Sequence, residues 1–323
     1  MAAEEKAFDV VGLGLIATDR LITVPRFPRP GDKVAYSREQ VLPGGQVAGA
    51  CVVARRFGFR ASFGGSVGDD EEGGWQAAEL AREGIDASRL RRVAGCRSQR
   101  AWIFVEEASG ERTIVYERAA ALAFPAAEVD AGWIASGRLL HLDGHDGAAA
   151  ARAAELARAA GVPVSADLAN LYERQRADTL RLLRAADYLI ASEGFARQLF
   201  GPLPADAALQ RLRGEFGIGF AALTLGAEGV LARAGAAQLP GGRAYIPGFA
   251  VAAVDTTGAG DVLHGGFLVG LLRGWAAARA LEFACALAAL NCTAPGARGH
   301  IAGDEEVAAL LRAAPRRARP GLA

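Results

Sequence analysis

Val254-Asp255-Thr256-Thr257-Gly258-Ala259-Gly260-Asp261-Val262-Leu263-His264-Gly265-Gly266-Phe267 is the stretch from which the rest of the chain can be read. An apolar, strand-like segment, Phe249 to Val254, leads into it, and an apolar helix is expected to begin near Asp261. Gly258, Ala259 and Gly260 carry little or no side chain, so their backbone N–H groups can converge on one point. At a helix N-terminus those amides and the macrodipole favour an anion. A phosphate, or a phosphoryl group gaining charge in a transition state, suits that position. Asp261 is a carboxylate inside an anion-attracting pocket, well placed to accept a proton from an attacking hydroxyl. The competing reading is a plain N-cap Asp after a glycine turn.

Outward from this loop, strands alternate with helices. Phe8 to Leu15 reads as a short buried strand ending in glycines, and Ala61 to Val67, Leu139 to Leu142, Val162 to Leu168, Tyr188 to Ala191 and Phe220 to Leu225 as further strands. Helices are expected at Val47 to Phe57, at Trp75 to Glu83 closed by Gly84, and over an Ala-rich run ending at Ala160. This spacing implies βαβ units and a mostly parallel sheet. The extended segments Leu21 to Val24 and Val34 to Val41 do not fit the alternation. Nor does the hairpin formed by Arg100 to Val105 and Arg112 to Glu117 around Ala108-Ser109-Gly110. These are expected to form a small β lid, residues 15–42 and 98–118, on one α/β domain spanning 1–323. The tail after Ala313 reads as frayed, and its arginines as a solvated terminus.

The chain has 323 residues, 36 basic and 36 acidic, with 51% hydrophobic and 22% charged residues. That composition excludes a mainly disordered chain, and the balanced charge argues against nucleic acid as a partner. Its 41 glycines in 323 residues, about 13% against a usual ~7%, mean either a Gly/Ala-rich composition or close backbone approaches in several places. Met1 to Phe8 is acidic and lacks the basic n-region of a signal peptide. Gly265 to Thr293, the most apolar later region, is interrupted by Arg273, Arg279 and Glu282, so no membrane span is expected. Cys51, Cys96, Cys285 and Cys292 show neither a CxxC nor a ligand-like spacing and read as buried reduced thiols. His141, His145, His264 and His300 are too scattered for a metal cluster. A cytoplasmic enzyme is the expectation.

Asp255-Thr256-Thr257-Gly258-Ala259-Gly260-Asp261 closely resembles the C-terminal signature of the ribokinase-like, or PfkB, sugar kinases. Pro43-Gly44-Gly45, Gly58 and Gly68-Asp69-Asp70 resemble the N-terminal signature. Gly12-Leu13-Gly14 with Asp19, the Ser109 to Ile114 hairpin and Thr224-Leu225-Gly226-Ala227-Glu228-Gly229 extend the likeness over nearly the whole chain. The hairpin and His141-Leu142-Asp143-Gly144 look most like the ketohexokinase and sulfofructose kinase members.

The resemblance implies a ribokinase-like fold and an ATP-dependent kinase acting on a primary hydroxyl of a sugar or sugar-like metabolite. It implies Asp261 as general base, Gly258, Ala259 and Gly260 as the anion hole, and Asp19, Gly44, Gly45, Gln46 and Asp143 on the substrate side. Thr224, Gly226, Gly229, Asp255, Thr257, Cys285 and Ala288 would lie on the nucleotide side. Mg2+ would travel with ATP, a monovalent cation is a further candidate cofactor, and lids of this kind often pair across a homodimer. Two departures stand out. Gly49 replaces the usual sugar-binding Asn, and Ser192-Glu193-Gly194-Phe195 replaces an Asn-x-x-Glu element linked to Mg2+, leaving Glu193 as a weak metal candidate.

Asp167, at a strand end, is a further site candidate. Arg112 reads as a solvated strand arginine and His264 as helix packing. Three rival functions remain open: a nucleoside kinase, a kinase-fold protein that binds ligand without turnover, and a dinucleotide oxidoreductase. The last is suggested by Gly12-Leu13-Gly14, but Ala17 stands at the third glycine position and extended chain follows instead of a helix.

Overall fold

The computed structural model describes residues 5–313 and 315–322. In chain order its strands and longer helices begin with β1 (Phe8–Leu13), β2 (Ala17–Val24), β3 (Arg38–Gly44), α1 (Gln46–Arg56), β4 (Ala61–Gly68), α2 (Glu71–Arg82), β5 (Asp86–Val93), β6 (Arg100–Glu106) and β7 (Arg112–Glu117). There follow α3 (Ala131–Ala135), β8 (Gly137–Asp143), α4 (Gly147–Ala159), β9 (Val164–Leu168), α5 (Arg176–Ala185), β10 (Tyr188–Ser192), α6 (Glu193–Phe200), α7 (Ala205–Phe216) and β11 (Phe220–Thr224). The chain ends with β12 (Gly229–Ala234), β13 (Arg243–Phe249), α8 (Ala259–Leu272), α9 (Ala277–Asn291), α10 (Asp304–Ala313) and β14 (Arg316–Arg317).

Ten strands form one sheet in the order β14-β13-β12-β11-β10-β9-β8-β1-β4-β5. Pairing is parallel from β11 through to β5 and antiparallel from β11 to β14. The inner strands are buried along almost their whole length, β4 and β9 at every residue. That is what helices on both faces require, and it explains their unbroken small and apolar runs. One face packs α4, α5, α6 and α7 around Leu140, Ala166, Leu182 and Phe195. The other carries α1, α8 and α9, with α8 between the other two.

A separate four-stranded sheet has the order β3-β2-β6-β7. Its own core is small: Leu21, Ala101, Ile103 and Val105, with Leu42 against them. The sheet is tied to the main body beside the strand ends. Only Gly14, Leu15 and Ile16 separate β1 from β2, and Gly45 alone separates β3 from α1.

Several expected boundaries are corrected. The apolar run Phe249 to Val254 is not a strand: β13 ends at Phe249 and the next residues form a loop in which Val254 is exposed. Strand β5 escapes the sequence reading because Asp86, Arg89, Arg91 and Arg92 break its apolar pattern, as suits the sheet's free edge. Strands β12 and β13, an antiparallel extension, escape it too. Helix α2 starts at Glu71 instead of Trp75, with Asp70 capping Gly73 N–H, because the cap outweighs the low helix propensity of Gly73 and Gly74. The tail is not frayed over its described part: β14 pairs with β13, and Arg316 and Arg319 form ion pairs with Glu282, Glu193 and Glu228. All four cysteines are free and buried, and no helix among the described residues is long and apolar enough to cross a membrane.

Candidate active site

Helix α8 begins at Ala259, with Gly258 as its cap in a left-handed conformation (φ 70°). A Cβ on Gly258 would lie 2.3 Å from the carbonyl oxygen of Ala297, so only glycine fits both the angle and the space. Around Gly260 a Cβ would meet nothing within 4 Å, which leaves this side of the turn open. The first-turn amides of a helix have no partner within it; Ala259 N–H reaches Thr256 O at a long 3.4 Å. The loop is held from behind. Asp255, buried, accepts from Thr257 N–H at 2.8 Å and from Gly296 N–H at 2.7 Å. The buried Asn291 amide donates to the carbonyls of Thr257 and Ala297.

The floor beside this loop is built from close backbone approaches. A Cβ on Gly44 would fall 2.2 Å from the Asp19 carboxylate, and one on Gly45 (φ 101°) 2.5 Å from Ile16 Cα. The diglycine lets β3 turn into α1 directly beneath Asp19. On α1, Gly49 faces Asp261, where a Cβ would lie 3.0 Å from the Asp261 Cβ. At the start of the same helix, Gln46 Nε2 donates to Asp167 Oδ2 at 3.2 Å. Asp167 also meets His264 Nε2 at 3.2 Å.

Two carboxyls at this site bind their protons unusually tightly. Burial pushes Asp261 up to about 6; the Asp167 charge adds to this, while His264, Arg112 and Arg298 oppose it. Burial likewise pushes Asp19 up to about 7, with Asp261 and Asp255 adding and Arg298 opposing. Neither shift contains a contribution from a hydrogen-bond donor. Asp19 is buried and Asp261 half-buried, and both have unused acceptor capacity among the described residues. That is the state expected of groups waiting for a ligand's hydroxyls, and acids so perturbed cluster at functional sites.

Residues 7–302 match the pfkB family carbohydrate kinase family. The chain belongs to it. The kinase is 31% identical over 307 residues to a ribokinase from Haemophilus influenzae, covering 93% of this chain and 97% of that one. It is 30% identical over 294 residues to a nucleoside kinase from Methanothermobacter thermautotrophicus, covering 91% and 92%. Its fold matches the crystal structure of a putative ribokinase from Agrobacterium tumefaciens with a TM-score of 0.85 and 28% identity, covering 94% and 97% of the two chains. It is a ribokinase-like sugar or nucleoside kinase, an α/β enzyme of the PfkB type.

In this kinase Gly258, Ala259, Gly260 and Asp261 share one turn, Gly44 and Gly45 lie beside Asp19 and its strand, and Gln46 joins them through Asp167. Asp143 does not present its carboxylate. It is 1% exposed, and its oxygens accept from Leu15 N–H at 2.7 Å and His145 N–H at 2.9 Å. A buried carboxylate takes such donors to offset its desolvation, so Asp143 ties the end of β1 to the end of β8. Asp255 is likewise spent on backbone amides, and the Thr257 hydroxyl lies buried behind the loop with no partner among the described residues. Cys285 and Ala288 are on α9, mostly buried in the core against β13.

Thr224 ends β11, and Gly226 (φ 60°) opens the turn after it. Gly229 (φ 100°) must be glycine because a Cβ would meet Ile246 O at 2.0 Å. Glu193 is held by Arg319 at 2.7 and 3.1 Å. Among the described residues no group of three or more His, Cys, Asp and Glu could hold a metal ion.

Sequence reading passes over Arg298 and gives Arg112 and His264 only solvent and packing roles. Arg112, solvated on that reading, reaches from β7 to donate to Thr256 Oγ1 at 2.8 Å, so the small sheet touches the phosphoryl loop. Arg298 donates to Gly44 O at 3.2 Å, with its Nε buried and unpartnered among the described residues, and its charge opposes the proton affinity of both Asp19 and Asp261. His264, more than a packing residue, pairs with Asp167. The spacing of three from Asp261 was the one available signal, since it places both residues on one helix face.

Proposed function

We propose that the kinase transfers the γ-phosphoryl group of ATP to a primary hydroxyl of a sugar or sugar-like metabolite. In this reading Asp261 takes the hydroxyl proton as the oxygen–phosphorus bond forms. The bond from phosphorus to the ADP oxygen breaks, and the amides at Gly258, Ala259 and Gly260 receive the charge that develops on the phosphoryl oxygens. The observation that carries this is the placement of Asp261: a half-buried carboxyl with no hydrogen-bond donor among the described residues, pushed up to about 6 by desolvation, in the first turn of the helix whose amides would receive the anion. Asp19, Gly44, Gly45 and Gln46 would meet acceptor hydroxyls, and Thr224, Gly226 and Gly229 would line the ATP side. Mg2+ would arrive on the nucleotide, and no step is assigned to it. The sheet β3-β2-β6-β7 would act as a lid, with Arg112 as its contact to the loop. The small lid core and exposed β7 support pairing of two copies through it. A cytoplasmic setting, where ATP is replenished, fits this activity.

Nucleosides are the second acceptor class, favoured by the nucleoside kinase relative. The test is ADP production by purified protein over a panel of sugars and nucleosides, repeated with Asp261→Ala. Turnover on a sugar that disappears in Asp261→Ala while ATP still binds supports the proposal. Full activity in that variant overturns Asp261 as the base. ATP binding with no turnover on any acceptor leaves a binding protein instead.

A further inference from the structure

Asp167 and His264 lie beneath the acceptor floor, and the transfer described above has no step for them. Both are buried, Asp167 at the end of β9 and His264 one turn after Asp261 on α8. Asp167 receives two donors from two different helices, Gln46 Nε2 at the start of α1 and His264 Nε2 on α8, each at 3.2 Å. An ionised carboxylate only accepts, so the Gln46 amide must turn its nitrogen to Asp167 and its oxygen away. The same argument places a ring proton of His264 on Nε2. Its Nδ1 is buried without a partner among the described residues, and its ring packs 5.3 Å from that of His141.

We propose that Asp167 and His264 form a positioning unit that orients Gln46 as a hydrogen-bond acceptor for a substrate hydroxyl and sets the charge seen by Asp261. The inference rests on the kinase reading above and adds a residue pair to it. Asp167 couples α1, which carries the floor, to α8, which carries the base. Its negative charge lies close enough to Asp261 to raise that group's proton affinity. The other charged groups facing Asp261 are Arg112 from β7, Arg298 from the loop after α9, His264 on its own helix and Asp19 from β2. Asp167 itself faces His264, His141 and His145, and stays below the usual carboxylate range: burial raises it, but the histidine charges and the His264 hydrogen bond together outweigh burial.

Asp167→Asn removes the charge and turns one amide donor toward the two donors. Acceptor KM is expected to rise about tenfold with ATP KM unchanged, and the acid limb of kcat/KM to move down by about one pH unit. Gln46→Glu sets two carboxylates against each other and should raise acceptor KM similarly. In Gln46→Glu/Asp167→Asn the amide introduced at position 167 can donate to the carboxylate introduced at position 46, so the double variant should recover most of that loss. His264→Gln, which keeps a donor for Asp167, should retain more acceptor affinity than His264→Leu.

If Asp167→Asn does not fold, the two His264 variants and Gln46→Glu read the same unit. An unmoved acid limb in folded Asp167→Asn, a double variant no better than Gln46→Glu, or equal acceptor KM in His264→Gln and His264→Leu overturns the inference. Those results with an inactive Asp261→Ala overturn it alone, whereas full turnover in Asp261→Ala overturns the kinase reading beneath it.

Discussion

Gly49 on α1 sits tightly against Asp261: a Cβ there would lie 3.0 Å from the Asp261 Cβ and 3.5 Å from its Oδ2. Helix α1 thus forms the back wall of the carboxylate, and glycine at position 49 is a packing condition for it. Gly49→Ala is expected to push Asp261 by a few tenths of an ångström. Misplacement on this scale lowers kcat, here by about tenfold, with ATP KM little changed. Gly49→Asn should be worse despite restoring the usual residue type. Steady-state kinetics on the best acceptor from the panel, with circular dichroism to confirm folding, checks this. Wild-type kcat in Gly49→Asn would show that the two helices have slack.

The raised carboxyls set a pH dependence with opposite signs for rate and stability. Asp261 must be ionised to take a proton, so kcat/KM should rise with pH through a limb near 6. Stability runs the other way. A folded-state pKa above the unfolded value means that the folded form holds the proton more tightly, and this contribution is fully present below about pH 4 and lost as pH rises through the folded value. For Asp19, pushed up to about 7, the loss falls across pH 4 to 7. Asp19→Asn is therefore expected to stabilise the ligand-free protein at about pH 8 by roughly 2 kcal/mol and to change little at about pH 4. Thermal melts at both values decide it. Equal effects at both would mean that the Asp19 charge is compensated in the ligand-free state.

How much of this was legible in the sequence follows from what each residue interacts with. The parallel sheet was legible because strands buried on both faces must read as continuous apolar runs. The turn of small residues that opens α8 was legible because Gly258, Ala259 and Gly260 directly precede an apolar helical run. The backbone partners of Asp143 and Asp255 were not legible, because a carboxylate at a strand end looks the same whether its partners are ligand hydroxyls or backbone amides. Arg112 was underrated because its partner, Thr256, is 144 residues away in the chain. Strand β5 was hidden by edge charges, and the tail by a composition that matches a solvated terminus.

Strand β7 offers a direct test of assembly. Every residue from Arg112 to Glu117 is exposed, Ile114, Val115 and Tyr116 among them, and the strand ends its sheet. An apolar strand open on its faces and along its edge is a template for pairing with a second copy. Sedimentation at micromolar concentration is expected to show a dimer. Ile114→Lys/Tyr116→Lys, which charges one face, should yield a monomer with unchanged thermal stability. A wild-type monomer at that concentration would remove the lid from the set of interfaces.

The tail makes the last prediction. Arg319 joins Glu193 at the start of α6 to Glu228 in the turn between β11 and β12. Its backbone N–H donates to Tyr245 OH at 2.6 Å, and that hydroxyl donates to Glu228 O at 2.7 Å. The turn so held is Gly226 to Glu228, where the ATP side is proposed. The ion pairs are partly exposed, and such pairs add little to global stability. Their effect should instead be local, in keeping the turn in one conformation. Arg319→Ala, or ending the chain at residue 313, is expected to raise ATP KM several-fold while leaving acceptor KM and the acid limb unchanged. Removing the whole tail should have the larger effect, because it also deletes β14 and the Arg316 contacts to Glu282 and Pro247. A change in acceptor KM with no change for ATP would mean that the tail acts on the other half of the cleft.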